Sequence, residues 1–170
     1  MSILSNKQVR IILDDRWPRI IGHETADGHA RLPGEREAIP PRLYVYRKGD
    51  RCTLTSDDPE IAVTYTAKTV DGQAVYHAEV AWEGKPAAAF DVTYELRKAD
   101  LTIGLANVRE YDPFRFLTLR FPHLASATSR DPDSLLVTCG WQGRILDPKK
   151  CKPGLVDLRL QCNGESTGIK

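Results

Sequence analysis

Only one charge separates the 24 Lys and Arg from the 23 Asp and Glu of this 170-residue chain, and both signs are mixed along it. No electrostatic footprint for nucleic acid or an anionic membrane is present. No apolar run approaches the roughly 20 residues that a membrane-crossing helix needs, and residues 1–10 hold no apolar segment of the signal-peptide kind. Cys52, Cys139, Cys151 and Cys162 form no CxxC pair, so the usual spacing of a zinc or redox site is missing. Free thiols are the expectation, because a core of this size needs no staples. A Cys139–Cys151 bridge across a loop stays open as the alternative. There is no Gly-x-Ser-x-Gly elbow. No stretch keeps helical periodicity over three turns, and there is no internal repeat or low-complexity block.

What the chain does have is alternation. In Ile61-Ala62-Val63-Thr64-Tyr65-Thr66-Ala67-Lys68, Ile, Val, Tyr and Ala share one face, while Ala, Thr, Thr and Lys share the other. Strands expose side chains with a period of two, so this is a half-buried strand. Residues 75–82 place Tyr76, Ala78, Val80 and Trp82 on one side, and residues 88–96 place Ala88, Phe90, Val92, Tyr94 and Leu96 inward. Asp71-Gly72 marks a tight hairpin turn, Glu83-Gly84-Lys85-Pro86 a second turn, and Leu101, Ile103 and Leu105 a fourth strand. Together these four segments predict an antiparallel meander. Residues 8–13, 19–23, 42–46 and 114–121 predict further strands, and residues 134–139 and 142–146 a pair across Gly140-Trp141. A short turn is expected over 35–38. The Pro-rich stretch 32–41 either protects a sheet edge or docks another domain.

The expectation is an all-β, antiparallel β-sandwich of ten or eleven strands. It forms a single domain over residues 1–160, with 161–170 a polar tail or the start of a linker.

Candidate chemistry is sparse. His23 and His29 flank Glu24 and Asp27 in a stretch that reads as a solvated turn. Asp14-Asp15, Asp57-Asp58 and Asp131-Pro132-Asp133 are acidic doublets of the kind that cap backbone N–H groups in turns. A sugar would stack on an exposed aromatic face. Trp141, in Cys139-Gly140-Trp141-Gln142-Gly143, and then Trp82 are the candidate carbohydrate-binding residues, although the alternation around Trp82 points it into the core. Trp17, before Pro18, is expected to anchor a strand. His77 and Glu79 share a strand face and are the least ill-suited pair for the general acid and base of an aldose 1-epimerase. No catalytic residue, metal or cofactor is assigned.

Several pieces resemble one known domain. Val9-Arg10-Ile11-Ile12-Leu13-Asp14-Asp15-Arg16-Trp17-Pro18-Arg19-Ile20-Ile21, then Leu32-Pro33-Gly34-Glu35, Leu43-Tyr44-Val45-Tyr46, Val63-Thr64-Tyr65 and Val92-Thr93-Tyr94-Glu95-Leu96 follow one another in its order. Leu117-Thr118-Leu119-Arg120-Phe121-Pro122-His123-Leu124-Ala125-Ser126 resembles its closing segment. The order is similar to the N-terminal sandwich domain of endo-α-N-acetylgalactosaminidase-type glycoside hydrolases, over roughly residues 9–146. The resemblance implies a galactose mutarotase-like supersandwich that precedes a catalytic (β/α)₈ barrel carrying the carboxylates. Such a barrel takes about 250 residues, and nothing after Leu160 matches one. The expected function is therefore a non-catalytic module that supports a C-terminal barrel of the same parent protein. The alternatives are an independent module whose partner is a glycan, and the epimerase. Neither nucleic acid nor membrane is expected as a partner.

Overall fold

Four long strands dominate the structure, a computed structural model that describes residues 2–34, 38–49, 53–70, 72–98, 100–121, 136–138 and 144–146. They are β7 (Ile61–Val70), β8 (Gln73–Trp82), β9 (Lys85–Arg97) and β10 (Asp100–Glu110), paired antiparallel in the order β10-β9-β8-β7. This is the meander that the alternation predicts. Its turns are tight: Gly72 has φ 78°, and Glu83 (φ 49°) and Gly84 (φ 76°) are both left-handed. Two left-handed residues in a two-residue loop match the twist of the strands they join. The second turn is thus Glu83-Gly84 alone, and Lys85 and Pro86 already belong to β9.

Three further strands, β1 (Ser2–Ser5), β2 (Val9–Leu13) and β3 (Ile20–Thr25), join β4 (Arg31–Pro33) in sequential order. A third sheet has the order β11-β5-β6, from Phe114–Arg120, Arg42–Arg47 and Thr53–Thr55. Thirteen strands lie among the described residues, more than the ten or eleven expected, because β1, β4 and β6 are too short to show a period. Pro33 sits on the edge strand β4, where the ring removes no ladder hydrogen bond from a central strand. The edge-protecting reading of the Pro-rich stretch therefore fits at this residue. Gly34 follows directly and donates its N–H to Ile21 O at 2.9 Å. A Cβ here would collide with the Ile20 carbonyl, so the close return of the chain requires glycine.

Antiparallel sheets pack against one another across one core, which makes the fold an all-β sandwich. Tyr76, Ala78, Val80, Phe90, Val92 and Tyr94 point inward from the long sheet. Leu4, Ile11, Leu13 and Ile20 meet them from the first sheet, and Leu43, Val45 and Phe114 from the third. Each fully buried side chain of this size contributes about 1.5–3 kcal/mol. The opposite face of the long sheet is polar and open: Thr64, Thr66, Lys68, His77 and Glu79 are exposed.

The core contains tyrosines with different hydroxyl environments. The rings of Tyr76 and Tyr94 meet edge to face at 5.8 Å. Tyr76 donates its hydroxyl to the Asp14 carbonyl at 2.5 Å, whereas the Tyr94 hydroxyl has no hydrogen-bond partner among the described residues. Removing a made bond costs about 1 kcal/mol or somewhat more, and removing an unmatched buried hydroxyl does not. Tyr76→Phe is therefore expected to lower stability by about 1–2 kcal/mol and Tyr94→Phe to leave it unchanged or raise it. Urea unfolding of the two variants side by side checks this.

The chain divides into two units, residues 1–126 and 127–170. The sandwich above belongs to the first. In the second, β12 (Leu136–Thr138) and β13 (Arg144–Leu146) pair antiparallel with Val137 opposite Ile145, as their sequence predicts. The expected turn over 35–38 and the tail 161–170 lie outside the described residues, the first except for Ala38.

Candidate functional site

Two places gather polar side chains. The first is on the open face of the long sheet. His77 on β8 faces Asp91 on β9, and His77 Nδ1 shares a 2.7 Å hydrogen bond with Asp91 Oδ1. Asn107 on β10 donates from Nδ2 to Asp91 Oδ2 at 2.6 Å. Asn107 reaches Asp91 because β10 is irregular between Ala106 and Arg109, and its own φ is 51°. A bulge residue in the left-handed region bends the strand and re-aims its side chain, and asparagine tolerates that conformation better than most residues.

Burial pushes the Asp91 carboxyl up, but the hydrogen bonds from Asn107 and His77 outweigh it and hold the group below its ordinary value of 3.8. A carboxyl lowered by folding adds stability above that ordinary value and loses it as pH falls through the folded one. Asp91→Asn is accordingly expected to cost about 1 kcal/mol at pH 7. The gap from the parent protein should narrow at acid pH, below the ordinary carboxyl value of 3.8. Thermal unfolding at both pH values reads the difference.

His77 and Glu79 share this face, as the alternation predicts, with Nε2 and Oε1 4.0 Å apart. Epimerisation needs its acid and base poised across a sugar ring. At 4.0 Å the two groups stand side by side, and the short partner of His77 is Asp91 rather than Glu79. Sequence reasoning missed Asp91 and Asn107, because their meeting depends on strand register.

The second place is a cleft of about 350 Å³ at the β8–β9 turn. Glu83, Lys85 and Pro86 from the turn and the start of β9, Tyr111 and Pro113 from the segment before β11, and Arg47 at the end of β5 line it. Backbone hydrogen bonds tie these segments together. The β8–β9 register shifts after Val80, which pairs with Ala88, so that Ala81 pairs with Pro86 and Ala87 is left over. The Ala87 carbonyl accepts the Tyr111 N–H at 3.1 Å, and Lys48 N–H donates to Pro113 O at 2.8 Å. Phe114 also lines the cleft, and its ring stacks on the buried Trp82 (6% exposed) with centroids 5.3 Å apart. The Arg47 guanidinium lies 5.6 Å from the Trp82 ring centroid. Asp112 accepts from Arg115 Nη2 at 3.1 Å and pairs with Lys48 at 3.5 Å. The Arg115 hydrogen bond and the Lys48 charge hold its carboxyl below the usual range.

Of the predicted sugar-stacking residues, Trp82 sits in the core, and Trp141 lies outside the described residues. Trp17 is half-buried, with Arg16 4.2 Å above its ring. The acidic residues predicted to cap turns do so at Asp14 and Asp58. Asp14 Oδ1 accepts Arg16 N–H at 2.9 Å, and Asp58 Oδ2 accepts Thr55 N–H at 2.6 Å. In the His23–His29 stretch, Asp27 is taken up by the Thr25 hydroxyl at 2.6 Å and the His29 N–H at 3.0 Å. Among the described residues, no three His, Cys, Asp or Glu side chains converge on a metal-sized site. No family model matches the sequence, and comparison with curated proteins finds no match.

Proposed function

We propose that this chain is a non-catalytic β-sandwich module of a glycoside hydrolase, one that packs against a catalytic barrel and supports it. The galactose mutarotase-like supersandwich class belongs to the same proposal. The observation that carries it is the state of the carboxyl groups. Glycoside hydrolysis needs one carboxylic acid kept protonated near neutral pH beside a second carboxylate. Among the described residues, every carboxyl displaced from its ordinary value is displaced downward: Asp14, Asp27, Asp91, Glu95 and Asp112. The donors responsible are structural ones, such as the Thr25 hydroxyl at Asp27, the Arg97 guanidinium at Glu95 and Arg115 at Asp112. These carboxyls are engaged by structural donors within their own strands and turns or across strands, which supports a structural rather than a general-acid role for them. The ordered likeness of residues 9–146 to a hydrolase sandwich supplies the remaining support.

The test has two arms. The purified chain, incubated with 4-nitrophenyl glycosides, is expected to release no nitrophenol. Release that disappears on substituting a single Asp or Glu would overturn the non-catalytic assignment. The partner is tested by reading the coding frame onward from Lys170. Alternating strands and helices over roughly 250 residues support the barrel, and a frame without them removes it.

A further inference from the structure

We propose that the free edge of β7 is a self-association surface, on which a second copy of this chain lays its own β7 antiparallel and joins the two long sheets into one. The inference goes beyond the supporting-module reading and does not rest on it.

A sheet edge presents unpaired N–H and C=O groups, and folds blunt such edges with short strands, bulges or proline. The three sheets of the sandwich have six edges, formed by β1, β4, β6, β7, β10 and β11. Strands β1, β4 and β6 have only three or four residues, and β4 ends in Pro33. β10 breaks its register between Ala106 and Arg109, and β11 between Phe116 and Thr118. β7 has none of these devices. It runs for ten residues and pairs with β8 one to one, from Ile61–Trp82 to Val70–Gln73. It contains no proline or glycine and one charge, Lys68. β-Branched and aromatic residues fill most of it, a composition that favours strand pairing.

The backbone is turned the right way. Successive residues of a strand send their N–H and C=O groups to opposite sides. Glu60 turns its carbonyl to the β8 side, where it accepts the Glu83 N–H at 2.8 Å. Ile61 turns away and gives its N–H to Asp58 O at 3.0 Å. Val63, Tyr65 and Ala67 therefore direct their groups to the side where no neighbouring strand lies among the described residues.

Charge selects a second copy as the occupant and fixes the register. In a two-fold pairing centred on Thr64, Val63 stands opposite Tyr65 and Ala62 opposite Thr66, so like faces meet. Lys68 of each copy then stands opposite Glu60 of the other, and no like charges meet. Both side chains are exposed, and no ion pair among the described residues includes either; Lys68 acts on Asp91 through its charge alone. A contact made by one strand from each copy lies at the small end of specific interfaces, below about 1,200 Å². The expected dissociation constant is accordingly about 10–100 µM.

The experiment is sedimentation velocity on the whole chain over roughly a hundredfold range of concentration around that value. A monomer–dimer equilibrium is expected. Thr64→Lys sets two lysines face to face at the centre and should weaken the dimer about tenfold or more. Lys68→Glu and Glu60→Lys should each weaken it about tenfold, and the two together should restore it. All three side chains are exposed, so the variants keep the fold, which circular dichroism verifies. Under mild oxidation, Thr64→Cys should form a disulfide between the two introduced thiols, identified by peptide mapping, because facing Cα atoms in such a pair lie within disulfide reach. Thr66→Cys should form far less. Amide exchange at Val63, Tyr65 and Ala67 should be fast in dilute solution and slow at high concentration. A monomer at every concentration overturns the proposal. A dimer that Thr64→Lys leaves intact uses another surface and overturns it too. Slow exchange at the three amides in the dilute monomer means that the edge is covered within one chain, which also overturns it. Preferential linking of Thr66→Cys overturns the register. None of these results alters the carboxyl chemistry or the coding frame on which the supporting-module proposal rests.

Discussion

Trp82→Ala is expected to cost about 3–5 kcal/mol, the loss typical of truncating a large buried aromatic side chain. Domains of this kind are stable by only about 5–15 kcal/mol, so the variant should unfold at much lower urea or fail to fold at 37 °C. The reason lies in where the indole sits. Trp82 is the last residue of β8, just before the Glu83-Gly84 turn, and its inner side is filled by Phe114 from β11. Removing it leaves a void between the long sheet and the third sheet, and Arg47 loses the ring beneath it. Urea unfolding followed by circular dichroism measures the cost, and Trp82→Phe should recover most of it. A loss below about 1 kcal/mol would place Trp82 outside the core, because only exposed positions tolerate such truncation.

Asp14→Ala is expected to be as damaging, for a different reason. Asp14 and Arg19 are joined by a 2.5 Å ion pair whose side chains are only 7% and 8% exposed. Removing the carboxylate takes away the counter-charge that the buried Arg19 guanidinium bonds, at a cost of about 3–5 kcal/mol. Replacing both partners with apolar residues avoids that penalty, so Asp14→Ala combined with Arg19→Met should be markedly more stable than Asp14→Ala alone. The Tyr76 hydroxyl bonds the Asp14 backbone carbonyl and survives either change.

The pair also shapes the response to acid. Burial pushes the Asp14 carboxyl up, but hydrogen bonds from Arg16 and Arg19 prevail and hold it below its ordinary value of 3.8. Its contribution is complete above that value and fades as pH falls through the lowered folded value. The parent protein should therefore lose stability more steeply than the double variant as pH falls below the ordinary carboxyl value of 3.8. Parallel acid titrations by circular dichroism check this, and identical acid curves would count against a stabilising role for the Asp14 carboxylate.

The parts of the fold legible in the sequence are those with enough length to display a period. Residues 61–96 alternate over three strands, and the side chains named as inward, Tyr76, Ala78, Val80, Phe90, Val92 and Tyr94, are buried. The strands β1, β4 and β6 have three or four residues each, and their pairing is set by neighbours rather than by amphipathic patterning. In β1, Leu4 alone among its residues is buried.

The site was less legible, for a geometric reason. The cleft joins the end of β5, the turn after β8 and the segment before β11, and no fixed spacing links residues 47, 85 and 111. The His77–Asp91 contact was hidden by one residue of register. It requires a two-residue turn and the irregularity after Val80, whereas a four-residue turn at Glu83-Pro86 gives a different pairing. Asp14 was legible as a turn cap, which it is, but its ion pair with Arg19 follows from burial that a pair of adjacent acids does not advertise.

The open side of the long sheet offers a practical handle. Thr64, Thr66 and Glu79 project away from the packed interior, so cysteines introduced there can carry photo-crosslinkers or spin labels with little strain on the scaffold. Labels at these three sites, compared with one at Lys85, divide the molecule into a broad flank and a narrow rim. A neighbouring domain that rests on the flank leaves the rim open, and one that rests on the rim covers it.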